Sequence, residues 1–185
     1  FPGSTEFLTN HINTPVVRGN LSTQEAGLAY NPKATTQAMS VNVNGKLFVA
    51  YGNQAENKAE IFEVNHDGEL VKLADTGPGV PTSMTADEQG LVYVSVVGPG
   101  NQSTIYAFDP VAEAVSPLLS EDFNIMSISY DQLDQSIVYS SSNGIFRFDV
   151  VNLEKETLHQ NEFREAIVHV NNVGDVFVLL TPHNL

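Results

Sequence analysis

One pattern of short apolar runs recurs along this chain and restricts what it can fold into. Three runs read almost alike, at residues 61–65, 105–109 and 145–149. A second kind of run precedes each of them, at 47–50, 92–95 and 137–140, with a further copy at 176–179. A third kind begins at Met39, Met84, Met126 and Ile167, which are 45, 42 and 41 residues apart. Such regular spacing indicates one supersecondary unit repeated along the chain.

Each run has the composition of a β-strand. The runs are rich in β-branched and aromatic residues and are bounded by Gly, Asn, Asp or Pro, which are typical of turns. A fourth strand closes each unit, so the strands can be called A to D in chain order. The middle strands are apolar on both faces, as in Ile105-Tyr106-Ala107-Phe108, so we expect neighbouring sheets to cover each sheet on both sides.

These features predict an all-β protein, a β-propeller of four-stranded antiparallel blades. A propeller stacks small sheets radially, and a period of about 40–45 residues is that of one blade. Sustained helical periodicity is missing from the sequence, which argues against a helical solenoid. A β-sandwich is the alternative fold, although it does not require such regular recurrence.

The repeat also predicts the domain boundaries. Three complete units are expected at 38–74, 82–119 and 124–158, and a partial fourth with strands A and B at 165–180. We expect residues 1–37 to be irregular, with short strands near 16–17 and 28–30. Two arrangements remain open. The N-terminal segment supplies the outer strands of the fourth blade and closes a small ring, or the chain is part of a larger propeller whose other blades sit on another chain or were lost.

Charge and composition exclude several classes of protein. The net charge is −14, from 22 acidic against 8 basic residues, which disfavours binding to nucleic acid or to an anionic membrane surface. There is no cysteine, so disulfides, thiol nucleophiles and zinc–thiolate sites are excluded. The low Lys and Arg content, together with many Asn, Ser and Thr residues, suggests an extracellular or secreted protein.

The second unit resembles a known repeat. It has a proline before strand A, Asp and Gly in the A–B turn, an aromatic residue in strand B, an Asn before strand C and a closing Phe-Asp: Pro81, Asp87, Gly90, Tyr93, Asn101 and Phe108-Asp109. In these features it is similar to the NHL-type repeat and to the related gluconolactonase-like (SMP-30) propellers. It departs from them after strand B, where Tyr51, Val96 and Ser141 replace the usual Asp. The resemblance implies blade architecture, in a superfamily of protein-binding modules, lactonases and enzymes of small metabolites.

Asparagines in the B–C loops are the candidate ligand residues. In a propeller the B–C and D–A loops share one face around the channel, and each B–C loop has an Asn beside a Gly, namely Asn53, Asn101 and Asn143. Amide oxygens can bind a hard cation such as Ca²⁺. The resemblance implies a metal held there by Asn, Asp and Glu, for which the D–A loops offer Glu121, Asp122 and Glu165. The alternative is that the asparagines form turns and the carboxylates are solvated.

Two histidines are candidate catalytic residues. His169 lies in the fourth strand A, which would line the channel, and His159 lies in a D–A loop. A histidine can serve as a general base near neutral pH. The alternative for His169 is a packed, hydrogen-bonded side chain.

Two functions therefore remain open. The first is a binding or scaffold module that presents its loop face to a protein, peptide or glycan partner. The second is an SMP-30-like enzyme that acts on a small molecule in the central channel, by lactone or ester hydrolysis or another metabolite transformation, with Ca²⁺ as candidate cofactor.

Overall fold

The structure is a computed structural model. It describes residues 45–53, 55–65, 67 and 69–180 with their side chains, and the backbone of four further strands within residues 6–41. All of the described regular structure is β-strand except one short 3-10 helix at Pro99–Asn101.

The strands form five antiparallel sheets, taken here in chain order. The N-terminal sheet contains β1 (Glu6–Thr9), β2 (Val16–Asn20) and β3 (Glu25–Tyr30). The first four-stranded sheet contains β4 (Thr36–Val41), β5 (Leu47–Asn53), β6 (Lys58–Val64) and β7 (Leu70–Asp75). The second contains β8 (Val80–Ala86), β9 (Val92–Val97), β10 (Ser103–Asp109) and β11 (Ala114–Glu121). The third contains β12 (Ile125–Asp131), β13 (Ser136–Ser141), β14 (Gly144–Asp149) and β15 (Lys155–Gln160), and the last contains β16 (Ala166–Val170) and β17 (Val176–Leu180).

Within each four-stranded sheet, the strands follow chain order A, B, C, D. The three complete units and the A–B pair of the fourth agree with the sequence prediction to within a few residues. The main difference is the end of strand D, which lies one or two residues beyond the predicted end of each unit, at Asp75, Glu121 and Gln160.

The prediction for the N-terminal segment was right in part. Short strands were expected near 16–17 and 28–30, and β2 and β3 contain them. The rest of residues 1–37 was expected to be irregular, but β1 was missed, and the three strands form one sheet. This sheet is separate from β16–β17, so it does not supply the outer strands of the fourth blade and close a small ring. Its third strand reads Glu-Ala-Gly-Leu-Ala-Tyr, which has little intrinsic strand preference, so the strand depends on pairing with β2.

The core lies between neighbouring sheets. One apolar cluster joins the first and second sheets and includes Phe48, Ile61 and Phe108. A second joins the second and third sheets around Ile105 and Tyr139, and a third joins the third sheet to β16. Strand β9 is buried along nearly its whole length, as expected for a strand covered on both faces.

Hydroxyl groups connect the innermost strands of successive sheets. Ile128 N donates a hydrogen bond to Ser83 Oγ (3.1 Å), and Tyr130 N donates to Thr85 Oγ1 (3.0 Å). At the next junction, Val168 N donates to Ser127 Oγ (3.3 Å) and Val170 N donates to Ser129 Oγ (2.9 Å). We call these four bonds the hydroxyl ladder. Each connects residue i to residue i+45 or i+41, so the A strands run parallel to one another.

Strand pairing corrects the sequence alignment of strand A. Ser95 and Ser140 occupy the same place in strand B, and they pair with Ser83 and Ser127 respectively. Met84 therefore corresponds to Ile128, two residues beyond the Met126 that the sequence pattern aligns with it. Met126 itself lies at an irregularity of the pairing between Ile125 and Ser127, so it has no partner on β13.

The ladder has no counterpart beyond β16 among the described residues. The positions that follow its pattern there are Ile167 and His169, and both side chains are exposed. Phe177 and Leu179, which pair with them on β17, are 56% and 69% exposed, whereas the corresponding side chains of β13 are buried. The described sheets therefore form an open series rather than a closed ring.

The ladder predicts a matched pair of effects at Thr85. Thr85→Val keeps the shape of the side chain but leaves the Tyr130 amide without its acceptor, so the free energy of unfolding should fall by about 1–2 kcal/mol. Thr85→Ser retains the hydroxyl and should lose clearly less. Urea denaturation of both variants measures the difference, and equal losses would contradict the ladder.

Candidate functional site

Antiparallel pairing divides the connections between two faces. The B–C and D–A loops lie at one end of the sheets, which we call the loop face, and the A–B and C–D turns lie at the other end, which we call the turn face. Because the A strands run parallel, each face is continuous across the sheets. The predicted ligand residues belong to the loop face or to the strand ends beside it.

Asn53 takes part in a local network at the end of β5. Its Nδ2 donates to Glu60 Oε1 (3.2 Å), and its Oδ1 accepts from the backbone N–H of Glu56 (3.2 Å). Lys72 also binds Glu60 (2.7 Å), and this hydrogen bond is the main reason that the pKa of Glu60 lies below its usual value. The side chain of Asn53 therefore holds a turn together and contacts a neighbouring strand.

Asn101 and Asn143 also lie in tight turns. Asn101 ends the 3-10 helix with a φ of 62° and is exposed. Asn143 donates its backbone N–H to Ser141 Oγ (3.0 Å) in the two-residue connection between β13 and β14. The next residue must be glycine, because a Cβ on Gly144 would lie 2.4 Å from the carbonyl oxygen of His159. Both asparagines thus have the local geometry of turn residues.

Glu121 is buried at the end of β11, and its carboxylate is engaged. Tyr139 donates its hydroxyl to Oε1 (2.5 Å), and Lys155 Nζ lies 2.9 Å and 3.1 Å from the two oxygens. Lys155 also lies 5.4 Å from the centre of the Phe146 ring. The group fastens the second sheet to the third. Burial first, and then the bond to Glu121, raise the pKa of Tyr139 above its usual range.

The other predicted residues are exposed and lie apart from this group. Asp122 accepts a hydrogen bond from Gln102 Nε2 (3.2 Å), and Glu165 is exposed. His159 lies in β15 and stacks on Phe163, with ring centres 6.0 Å apart. His169 lies on β16 opposite Phe177. Within the described residues, no group of three or more His, Asp or Glu side chains is arranged to hold a metal ion.

The turn face carries most of the exposed carboxylates found in connections. Seven of them lie in its described turns: Asp67, Glu69, Glu88, Glu113, Asp134, Glu154 and Asp175. The described turn-face connections also carry one base, Lys46. In the described part of the loop face, the connections carry four carboxylates, Glu56, Asp122, Glu162 and Glu165, together with Arg164. The turn face is thus the more acidic of the two.

Two buried carboxylates support the turn face from within. Asp87 accepts hydrogen bonds from Leu91 N (2.9 Å) and from the Tyr93 hydroxyl (3.0 Å). Asp131 accepts from Leu133 N (3.0 Å) and lies 3.4 Å from Arg147 Nη2. Burial, followed by the nearby charge of Asp87, raises the pKa of Tyr93 above its usual range.

Two cavities open at the same end of the sheets. One, of about 420 Å³, lies beside the third sheet, and we call it the rim cavity. It is lined by Asp134, Ser136, Arg147, Asp149, Glu154, Lys155 and Glu156. The second, of about 400 Å³, lies between Lys46, the Gln89–Leu91 turn and the Asp109–Val111 turn.

Sequence reasoning missed the residues of the rim cavity. Ser136 and Arg147 have no motif around them. A comparison between repeats gives no signal either. Leu91 and Ala107 of the second unit align with Ser136 and Arg147 of the third, but the first unit is also polar at these positions, where Lys46 binds Glu63.

Comparisons with known proteins show the fold. No protein-family model and no curated protein matches this chain. A chain of the nidogen–laminin complex matches 90% of it with a TM-score of 0.73 and 12% identity, and 64% of that chain is covered. A gluconolactonase from Xanthomonas campestris matches 96% with a TM-score of 0.72 and 12% identity, with 66% of that chain covered. TolB from Acinetobacter baumannii matches 96% with a TM-score of 0.69 and 13% identity, with 47% of that chain covered.

The fold is a β-propeller. The similar structures are β-propeller proteins, so the predicted fold class is confirmed, and the open series of sheets makes it a partial propeller. The chain spans less than two thirds of the length of each of the three similar chains. At these identities the matches show the fold alone, and they do not assign the chain to the NHL or SMP-30 groups. Among the described residues, no helix is long and apolar enough to cross a membrane.

The predicted calcium site can be tested by thermal unfolding. Because Asn53 and Glu121 use their side chains in contacts within the protein, we expect millimolar Ca²⁺ to leave the melting temperature unchanged within about 1 °C. A shift of several degrees that disappears in Asn143→Ala would contradict this expectation and support the loop-face metal site.

The raised pKa of Tyr139 predicts how stability changes at high pH. Because the pKa of Tyr139 is higher in the folded than in the unfolded protein, its neutral hydroxyl contributes stability. This contribution is complete below the pKa of an unfolded tyrosine, near 10, and it is lost as the pH rises towards the pKa in the folded protein. Above about pH 10, Tyr139→Phe should therefore lose stability less steeply than the wild type, by up to about 1.4 kcal/mol per pH unit. Denaturant titrations at several alkaline pH values measure the slope, and parallel curves for both proteins would contradict the assignment.

Proposed function

We propose that this chain is a propeller binding module that presents its turn face to a partner protein with a basic surface. The observation that carries the proposal is the row of exposed carboxylates in the turns of that face. The net charge of −14 adds a field of the same sign over the whole molecule. Such a field speeds the approach of a cationic partner and helps to select it.

The positions and contacts of the predicted loop-face residues also support a binding role for the turn face. Asn53 and Glu121 stabilise a turn and a sheet junction, and Asn101 and Asn143 lie in tight turns. These roles are structural and need no ligand. The carboxylates of the turn face, by contrast, are all exposed to solvent, although Asp134 pairs with Arg147, and Glu69 and Asp175 accept hydrogen bonds from neighbouring asparagines.

The similar structures are compatible with this proposal. One of them is a complex between nidogen and laminin, so a related fold takes part in an assembly between proteins. Another is a gluconolactonase, but a likeness at 12% identity carries the fold alone and transfers no catalytic residue to this chain. The loop face stays a prediction, and the following experiment compares the two faces directly.

Charge removal on each face tests the proposal with matched variants. The turn-face variant is Asp67→Asn/Glu88→Gln/Glu113→Gln, and the loop-face variant is Glu56→Gln/Asp122→Asn/Glu162→Gln. Both remove three exposed carboxylates. We expect binding of an oligolysine peptide at low salt to weaken about tenfold in the turn-face variant and about twofold in the loop-face variant.

Fluorescence anisotropy measures both affinities, with an oligoglutamate peptide as the control probe. A larger loss of affinity in the loop-face variant would show that the peptide binds the loop face instead. Equal losses would contradict any preference for one face and leave only the net charge of the molecule.

A further inference from the structure

Several turns of the turn face carry a large apolar side chain that is exposed to solvent. Among the described residues, the exposed large hydrophobic side chains found in connections all lie on this face, and none lies in a connection of the loop face. They are Val111, Leu133, Val151, Leu153 and Val173. Single exposed apolar residues are common on protein surfaces, but their restriction to one face calls for an explanation.

Four of these residues lie at one end of the turn face, and each is 62% or 64% exposed. We call them the tip patch: Leu133, Val151, Leu153 and Val173. Val150 N donates a hydrogen bond to Gln135 O (3.2 Å), which joins the two turns of the third sheet. The Leu133 side chain lies beside Gly174 in the next turn, where an added Cβ would come within 3.3 Å of Leu133 Cδ1. The three turns therefore form one continuous surface.

Side-chain hydrogen bonds hold the tips of these turns in place. Asp131 Oδ1 accepts from Leu133 N (3.0 Å), and Asp149 Oδ1 accepts from Val151 N (2.8 Å). The amide of Val173 is held in the same way, by the asparagine side chain two positions earlier (3.0 Å). A surface that is fixed before binding loses little conformational entropy when a partner arrives.

Leu153 has a backbone conformation that is unfavourable for leucine. Its φ is 59°, in the left-handed region where Gly, Asn and Asp are the usual residues. Its side chain is largely exposed, so it adds little packing within the protein in return. The turn therefore holds a large apolar group at a position where local backbone preference favours a small or polar residue.

Charge identifies the kind of partner that fits this patch. Each of its three turns also carries an exposed carboxylate, namely Asp134, Glu154 and Asp175. A second copy of this chain or an anionic membrane would bring like charges together there, whereas a basic segment would not.

We propose that the tip patch binds a segment of the basic partner in which apolar side chains are interspersed with Lys or Arg. The apolar side chains of that segment pack on the tip patch, and its cations lie beside the three carboxylates. This inference rests on the proposed function, because it names the part of the turn face that the partner contacts and the kind of sequence that the partner offers.

Two peptides of equal charge separate the apolar contact from charge attraction. In one peptide four lysines are separated by leucines, and in the other the same lysines are separated by serines. We expect the wild type to bind the leucine peptide about tenfold more tightly than the serine peptide, because partial burial of leucine side chains is favourable. Val151→Ser/Leu153→Asn should remove most of this preference and leave the affinity for the serine peptide unchanged.

Val71→Ser is the matched control, because Val71 is also an exposed valine but lies on β7 in the first sheet. It should keep the preference for the leucine peptide. The urea midpoint of Val151→Ser/Leu153→Asn should equal that of the wild type or exceed it, since asparagine suits the left-handed conformation of Leu153. A clearly lower midpoint would show that these side chains stabilise the fold, and it would overturn the inference.

The other outcomes distinguish the inference from the proposed function. If the wild type binds both peptides equally, or if Val151→Ser/Leu153→Asn keeps the preference, the tip patch is not the contact and the inference is overturned. The proposed function then stands if the turn-face charge variant loses oligolysine binding, and it fails if that variant binds oligolysine normally. A dimer in sedimentation velocity that Val151→Ser/Leu153→Asn dissociates would assign the tip patch to a second copy of the chain and also overturn the inference.

Discussion

The hydroxyl ladder is the interaction on which the arrangement of the sheets depends. The innermost strand of each sheet pairs on one side only, so every second backbone N–H points away from its own sheet. In β12 and β16 those groups are the amides of Ile128, Tyr130, Val168 and Val170, and hydroxyls of the preceding sheet accept from all four. The ladder therefore satisfies backbone donors near the axis and sets the register between sheets. The apolar clusters further out can then interlock in one arrangement.

Sequence patterns predict the parts of this fold that depend on local chemistry. Strands B and C are continuous runs of β-branched and aromatic residues, so they and their repeat could be recognised. The N-terminal strands were recognised only in part. Short strands were expected near 16–17 and 28–30, but β1 and the Ala- and Gly-containing start of Glu25–Tyr30 were not predicted. The register of β12 was also missed, because it depends on Ser127 pairing with Ser140 across a bulge rather than on the Met126 match.

For the candidate site residues, too, the local structure could be predicted from sequence but the distant contacts could not. Turn chemistry was predictable, and Asn101 and Asn143 lie in turns with the expected local geometry. Contacts between residues that are distant in sequence were not predictable. Glu121 seemed a free loop carboxylate from sequence alone, but in the structure it is buried against Tyr139 and Lys155, which lie 18 and 34 residues away. A linear pattern does not contain such contacts, because they arise only when two sheets are stacked.

The carboxylates that stabilise the fold are different residues from those that the proposed function requires. Asp87, Glu121 and Asp131 are buried among the described residues, and each is bound by hydroxyl, ammonium, guanidinium or backbone N–H groups. The remaining described carboxylates are partly or fully exposed. The fold thus satisfies the charges that it buries and leaves the rest on the surface, mostly at one end of the sheets.

Amide hydrogen exchange measured by NMR tests the hydroxyl ladder most directly. The amides of Ile128 and Tyr130 point away from β13, so without the ladder they would exchange as freely as those of an open strand edge. The account predicts that they exchange slowly, at rates like those of Ser127 and Ser129 on the same strand. Fast exchange at Ile128 and Tyr130, alongside slow exchange at their neighbours, would contradict it.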